Sequence, residues 1–387
     1  ATEAHGAVRS NPRREHLHYN RPDTRRTFVT DASQMYSGTI SVPDKHKFDQ
    51  PALERHLAQN LPEFRGPLRV ELCKGGQSNP TYKLVTPDRT YAMRAKPGPV
   101  AKLLPSAHAI EREFKVISAL GSTPVPVPRV YCLCEDESVI GRAFYVMDFV
   151  EGRVLWDQSL PGMSPAERGA IYDEMNRVIA ALHNVRPADI GLSDYGKPGN
   201  YFARQLTRWS KQYQISETAR IPEMDRLIEW LPANIPPGDE VSIVHGDYRL
   251  DNLIFAADSP RVLAILDWEL STLGHPLADF SYHCMTWHIP PAQFRGVAGL
   301  DLAALGIPAE FDYVRRYCER TGRDTAAVLE HWDFYLAYNL FRIAAIIQGI
   351  VKRVADGTAS STSAPESVDR VIGLAKLAYA CAAKIGA

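Results

Sequence analysis

Residues 245–252 read HGDYRLDN, and fifteen residues after Asn252 comes Asp267 in the string ILDWE, residues 265–269. The apolar run VSIV at 241–244 leads into the first string, and VLAIL at 262–266 leads into Asp267. Each of the two aspartates therefore follows a strand-like segment. Transfer of a phosphoryl group from a nucleotide needs a carboxylate to orient and deprotonate the accepting hydroxyl, oxygen ligands for a metal, and contacts for the phosphates. Asp247 and Asn252, five residues apart in a loop between two strands, can aim one group at an acceptor and the other at a metal. Asp267 offers the hard oxygen that Mg²⁺ prefers. Asp247 is thus the expected general base, with Asn252 and Asp267 as the expected metal ligands. The plain alternative is that Asp247 and Asn252 merely cap a turn.

Working outward, the chain changes character near Glu151. From Glu71 to Val150 short β-rich runs dominate (LRVELCKGG, NPTYKLV, TYAMRAK, VPRVYCLCE, AFYVMDFV), separated by glycine- and proline-rich punctuation. One helix interrupts them near Ala107–Leu120, where Ile110, Phe114 and Ile117 recur at helical spacing. Beyond Glu151, SPAERGAIYDEMNRVIAALHNV opens with Ser164 as N-cap, Pro165 at the first helical position and Glu167 closing a capping box. Further helices are expected near 200–214, 308–322, 325–352 and 365–384, with VSIVHGD, LIFAA and RVLAILDW as the only strands. The fold class is α+β with two lobes: a small antiparallel sheet with one helix over 48–150, and a larger, mainly helical lobe over 151–387. Residues 1–47 are rich in Arg, His, Asn and Pro without a period, and are expected to be a poorly ordered arm.

HGDxxxxN followed by an apolar strand and LDW resembles the aminoglycoside phosphotransferase and choline kinase branch of the protein-kinase-like fold. The protein-kinase counterparts are HRDxxxxN and DFG. The resemblance runs from about Phe48 to the C-terminus. It is closest to a subgroup with the strings KGGQSNPTY, LLPSAHAIERE, YVMDFVEGRV, PGNYFARQ and LDWELSTLGHPLAD. That subgroup includes stand-alone bacterial proteins and kinase-like domains fused to acyl-CoA dehydrogenases, which are associated with phosphorylating hydroxyacyl-CoA substrates. Other members phosphorylate antibiotics, choline, homoserine or sugars, so the fold leaves the acceptor open.

The resemblance implies roles for further residues. Gly75, Gly76, Gln77, Ser78 and Asn79 stand where the family folds a nucleotide-binding loop over the phosphates, although an ordinary hairpin turn uses the same residue types. Where protein kinases end a strand with Lys, TYAMRAK has Arg94, a departure because Arg meets phosphate as a planar fork and Lys as a point charge. Strand alternation puts Lys96 on the same face, so either can be the phosphate contact. The helix partner is Glu113 rather than Glu111, because Glu113 flanks the apolar stripe and Glu111 points away from it. The backbone of Asp148, Phe149 and Val150 is implied to hydrogen-bond the adenine edge, with Met147 beside the pocket. Asp279 is implied to support the catalytic loop.

Composition narrows the classes. With 44 basic and 45 acidic side chains the formal charge is −1, which leaves no footprint for a nucleic-acid or membrane-surface partner. The most apolar stretch, Leu336–Val351, carries Asn339, Arg342 and Gln348 and reads as a core helix rather than a membrane span. Six scattered cysteines without CxxC spacing point to reduced thiols and a cytoplasmic protein. The expected cofactors are ATP, or GTP in its place, and Mg²⁺. The expected partner is a small hydroxylated acceptor, bound by a monomer or homodimer. From Ser281 onward, eleven Lys and Arg face ten acids, a balance that disfavours a polycationic aminoglycoside, with Tyr282, Trp287 and Trp332 as possible apolar walls. A hydroxyacyl-CoA is the leading acceptor. The alternatives are an aminoglycoside or amino-alcohol kinase and a catalytically inactive kinase-like module.

Overall fold

Tyr82 and Leu84 are buried while Thr81, Lys83 and Val85 are half-buried, the two-residue period of a strand with one covered face. The computed structural model describes residues 38–74, 79–97, 109–293, 295–357 and 364–387, with side chains of the last segment from Ser367 onward. Six antiparallel strands form the first lobe: β1 (Thr39–Ile40), β2 (Arg69–Cys73), β3 (Thr81–Val85), β4 (Thr90–Ala95), β5 (Val130–Cys134) and β6 (Phe144–Asp148). Their order is β1-β2-β3-β4-β6-β5. Helix α1 (Gln50–Asn60), capped by the Asp49 side chain on Ala52 N, covers one face. Its Leu53 and Leu57 pack with Tyr82, Leu84, Tyr91, Met93, Phe144 and Val146. Residues of opposite parity on β4 and β6 (Ala92, Tyr145 and Met147) turn to the other face, where α2 (Ile110–Leu120) lies, and join the core of the second lobe. That face carries Arg94.

Order reaches further back than the expected arm. Thr39 and Ile40 pair with Cys73 and Leu72, and Tyr82 Oη donates to His46 O at 2.9 Å. Two residues are too few for alternation to register in the sequence.

The second lobe begins with β7 (Arg153–Val154), followed by α3 (Pro165–His183), α4 (Tyr201–Ser216) and α5 (Pro222–Ala233). Next come β8 (Ser242–Val244), β9 (Leu253–Phe255), β10 (Val262–Ile265) and β11 (Thr272–Gly274). The helices α6 (Pro276–Cys284), α7 (Leu302–Leu305), α8 (Glu310–Thr321), α9 (Thr325–Glu330), α10 (Trp332–Ala355) and α11 (Ala364–Ala383) complete the chain. The capping box of α3 forms as its sequence predicts, Ser164 Oγ accepting from Glu167 N and the Glu167 carboxylate accepting from Ser164 N. Helices α1, α5, α6 and α7 and strands β7 and β11 were not expected, and α1 gives the first lobe two helices where one was expected. Prolines at both ends of α5 read as punctuation, and the two strands are two and three residues long. The stretch expected as one helix over 325–352 breaks at His331 into α9 and α10.

Two small sheets position the loops. Strand β9 lies between β10 and β7, and β8 pairs with β11. A Cβ on Gly152 would come within 2.3 Å of Phe255 O, so the chain entering β7 can approach β9 only with glycine there. Helix α10 is long and apolar enough to cross a membrane, yet it is packed inside the lobe against α11, α4 and α6. Its polar residues are spent internally: Asn339 Nδ2 donates to Ala278 O at 2.9 Å, and Arg342 donates to Gly246 O at 2.7 Å.

Candidate active site

The loop between β8 and β9 carries Asp247 and is held from behind. Asp279, near the start of α6, accepts from the backbone N–H of His245 at 2.7 Å and of Gly246 at 2.8 Å. His183 on α3 approaches the same carboxylate at 3.2 Å. Burial acts to raise the Asp279 pKa, but His183, His245 and these amides outweigh it, so Asp279 lies below the usual carboxylate value. Gly246 has φ +84°, and a Cβ there would sit 2.8 Å from Leu270 O. His245 Nε2 lies 2.8 Å from Leu266 O, joining this loop to the one that bears Asp267.

Asp247 emerges from that support with both oxygens engaged. Tyr282 Oη donates to Oδ1 at 2.5 Å, while Asn252 Nδ2 and Arg249 Nη2 reach Oδ2 at 3.1 and 3.0 Å. Asn252 Nδ2 also donates to Asp247 O at 2.9 Å. With its nitrogen committed to acceptors, Asn252 has its amide oxygen to offer a cation. Asp267 has φ +64° and ψ +63°, a conformation that an aspartate adopts at some cost. No cluster of three or more His, Cys, Asp or Glu capable of holding a metal exists among the described residues. One carboxylate and one amide oxygen instead fit Mg²⁺, which keeps waters and takes its remaining ligands from substrate phosphates.

The first lobe meets this loop through Arg94. Its Nε lies 2.7 Å from Glu113 Oε2, and its Nη2 lies 2.6 Å from Asp267 Oδ1 across the lobe boundary. Burial disfavours the guanidinium charge, but Glu113 and Asp267 outweigh it and hold the Arg94 pKa above its ordinary value. Burial raises the Glu113 pKa, opposed by Arg94 and by hydrogen bonds from Asn79 and Tyr145. Asn79 Nδ2 donates to Glu113 Oε1 at 2.8 Å, so Asn79 serves here as a prop for Glu113. Gly75, Gly76, Gln77 and Ser78 lie outside the described residues. Lys96 sits apart from Asp267 in an ion pair with the half-buried Glu111.

The linker differs in detail from its expected form. The Asp148 N–H donates to Arg129 O at 2.8 Å, which removes it as a donor to a base. Its carboxylate accepts from Tyr131 Oη and faces Arg89. Phe149 and Val150 are half-buried, with Lys83 Nζ 4.5 Å above the Phe149 ring, and Met147 is buried on the Arg94 side of the sheet. Of the three aromatics expected near the acceptor, only Tyr282 touches Asp247. The indole N–H of Trp287 donates to Pro308 O and that of Trp332 to Glu310, both within the helical core.

Sequence reasoning missed Arg249 and Arg295, and it gave Tyr282 only as an apolar wall, not as a hydrogen-bond donor to Asp247. Arg249 lies within the loop motif, and Tyr282 lies three residues after Asp279 on the same helix, so helical spacing could have found it. Arg295, which pairs with Asp251, is 44 residues from that partner in the chain, and no local pattern announces it.

The phosphotransferase enzyme family profile matches residues 69–317. Acyl-CoA dehydrogenase family member 10 of Mus musculus is 44% identical over 351 residues, 90% of this chain. The match spans only 32% of that protein's length. A crystal structure from Ralstonia eutropha JMP134, provisionally named an aminoglycoside phosphotransferase, is 62% identical with a TM-score of 0.80. The match covers 87% of this chain and 99% of that one. The aminoglycoside phosphotransferase APH(4)-Ia, solved as a thermostable mutant with ADP and hygromycin B, shares the fold at 14% identity and a TM-score of 0.55. There the coverage is 84% of this chain and 98% of that one.

Proposed function

Because the chain belongs to the phosphotransferase enzyme family, we propose that it transfers a phosphoryl group from ATP, or GTP in its place, to a hydroxyl of a small acceptor. The observation that carries this reading is the contact of Arg94 with both Glu113 and Asp267, which joins the phosphate-facing strand to the loops of Asp247 and Asn252. Asp247 orients the acceptor hydroxyl and takes its proton, while Tyr282 and Arg249 fix the carboxylate. Arg94, charged and forked, is the phosphate contact, held on its other side by Glu113. Asn252 and Asp267 would hold Mg²⁺, which when bound neutralises charge on the phosphate oxygens.

The leading acceptor is a hydroxyacyl-CoA. Support comes from the identity to a protein named for acyl-CoA dehydrogenase and from the charge balance of residues 281–387. We place the protein in the cytoplasm on its six unpaired cysteines. Calorimetric titration with Mg·ATP, followed by a screen of hydroxyacyl-CoAs, amino alcohols and aminoglycosides for acceptor-stimulated ADP release, tests the reading. Nucleotide binding with thioester-stimulated release is expected. Binding without release by any acceptor would instead identify an inactive kinase-like module.

A further inference from the structure

Both oxygens of Asp247 are touched by residues that also line a pocket, Tyr282 and Arg249. Its walls continue through Gln158, Met285, Ile289 and Arg295, around a small cleft of about 30 Å³ that is partly open to solvent.

Two features give the pocket a polar character of its own. Gln158 is only 5% exposed, and its Oε1 has no hydrogen-bond partner, while its backbone oxygen is pinned by Tyr172 Oη at 2.8 Å. A buried amide oxygen without a donor is costly, so it marks a place where a ligand's N–H or O–H fits. Arg295, which also lines the pocket, is held at φ +45°. Thr286 Oγ1 donates to Arg295 O, and the next residue must be glycine because a Cβ there would lie 1.6 Å from Ile289 O. Strain retained at a non-glycine residue accompanies functional placement. The guanidinium lies over Trp156, 5.6 Å from the ring centroid, and pairs with Asp251, whose side chain is 3% exposed and lies behind it. Two guanidiniums and no carboxylate therefore face the cavity among the described lining residues.

We propose that this pocket is the acceptor subsite, with Arg295 and Gln158 as its specificity-determining residues. Arg295 grips an electron-rich oxygen, a free carboxylate or a thioester carbonyl, and Gln158 Oε1 accepts an N–H or O–H from the same molecule. Together they set the hydroxyl on Asp247 and reject cationic acceptors. The fate of the hydroxyl rests on the phosphotransferase reading, whereas the binding does not.

Isothermal titration of the full chain separates the two. The probes are 3-hydroxybutyrate, its pantetheine thioester (which adds amide N–H groups) and choline. The wild type should bind one or both of the first two and not choline. Binding of the acid alone identifies a carboxylate as the gripped group, and of the thioester alone a carbonyl. Arg295→Ala should weaken that binding about tenfold or more, Arg295→Lys should restore part of it, and Gln158→Met should weaken the thioester most. Melting temperatures establish that each variant is folded. Equal affinity in Arg295→Ala, no binding of either oxygen ligand by the wild type, or choline binding as tightly would overturn the subsite. Absence of Mg·ATP binding in the wild type would instead sink the phosphotransferase reading and leave these affinities standing.

Discussion

Asp247 accepts from Tyr282, Asn252 and Arg249, so its geometry does not depend on its charge alone. Asp247→Asn should therefore keep Mg·ATP binding while turnover falls by about 10²–10⁴-fold, measured by single-turnover kinetics beside calorimetry. Arg94 and Glu113 form one unit, and their alanine variants should raise the nucleotide KM non-additively in a double-mutant cycle. A larger effect from Lys96→Ala would move the phosphate contact to the Lys96–Glu111 pair. The Glu113 position was legible because a 100° helical step separates a residue flanking an apolar stripe from one two positions earlier. Arg295 was not legible, because its place depends on chain closure over 44 residues rather than on any local period.

Among elements, the helices with strong ends or long apolar faces could be read, α3 best of all. Its capping box is a local circuit that needs no tertiary partner. Ser164→Ala should lower stability by about 1 kcal/mol, read from the urea midpoint. Short elements such as β7 and β11 exist only because β9 and β8 offer them backbone partners, information that their own residues do not contain. Helix α6 contributes through its first turn: Asp279 there satisfies two loop amides that the strand end leaves unpaired. Asp279→Leu should cost at least about 1–3 kcal/mol by stranding buried donors, and turnover should fall with it. A variant with wild-type melting temperature and full activity would remove Asp279 from loop support.

For the whole molecule, acid should be destabilising well before carboxylates titrate. Burial lowers the pKa of His183, of His275 to about 4 and of His283 to about 3. The unfolded chain therefore binds protons that the folded chain refuses once pH drops through about 6.5. Stability is complete above that value and declines below it, by about 1.4 kcal/mol per pH unit for each histidine that stays neutral. The melting temperature should fall between pH 7.5 and 5.5, and His283→Gln should flatten the slope. Asp279, held below its ordinary value, adds a further loss only near and below about pH 4. An unchanged slope in His283→Gln would show that this imidazole takes its proton without unfolding.

Gly152 lies against Phe255 so closely that the chain is stapled to the lower body almost as soon as it leaves β6. Any rocking of one body on the other must then turn about residues 149–151, a fulcrum only three residues wide. Two of the three, Phe149 and Val150, belong to the segment whose backbone is proposed to face a nucleotide base. A ligand that grips it loads the fulcrum itself, so seating the base and setting the angle of the cleft become one mechanical event.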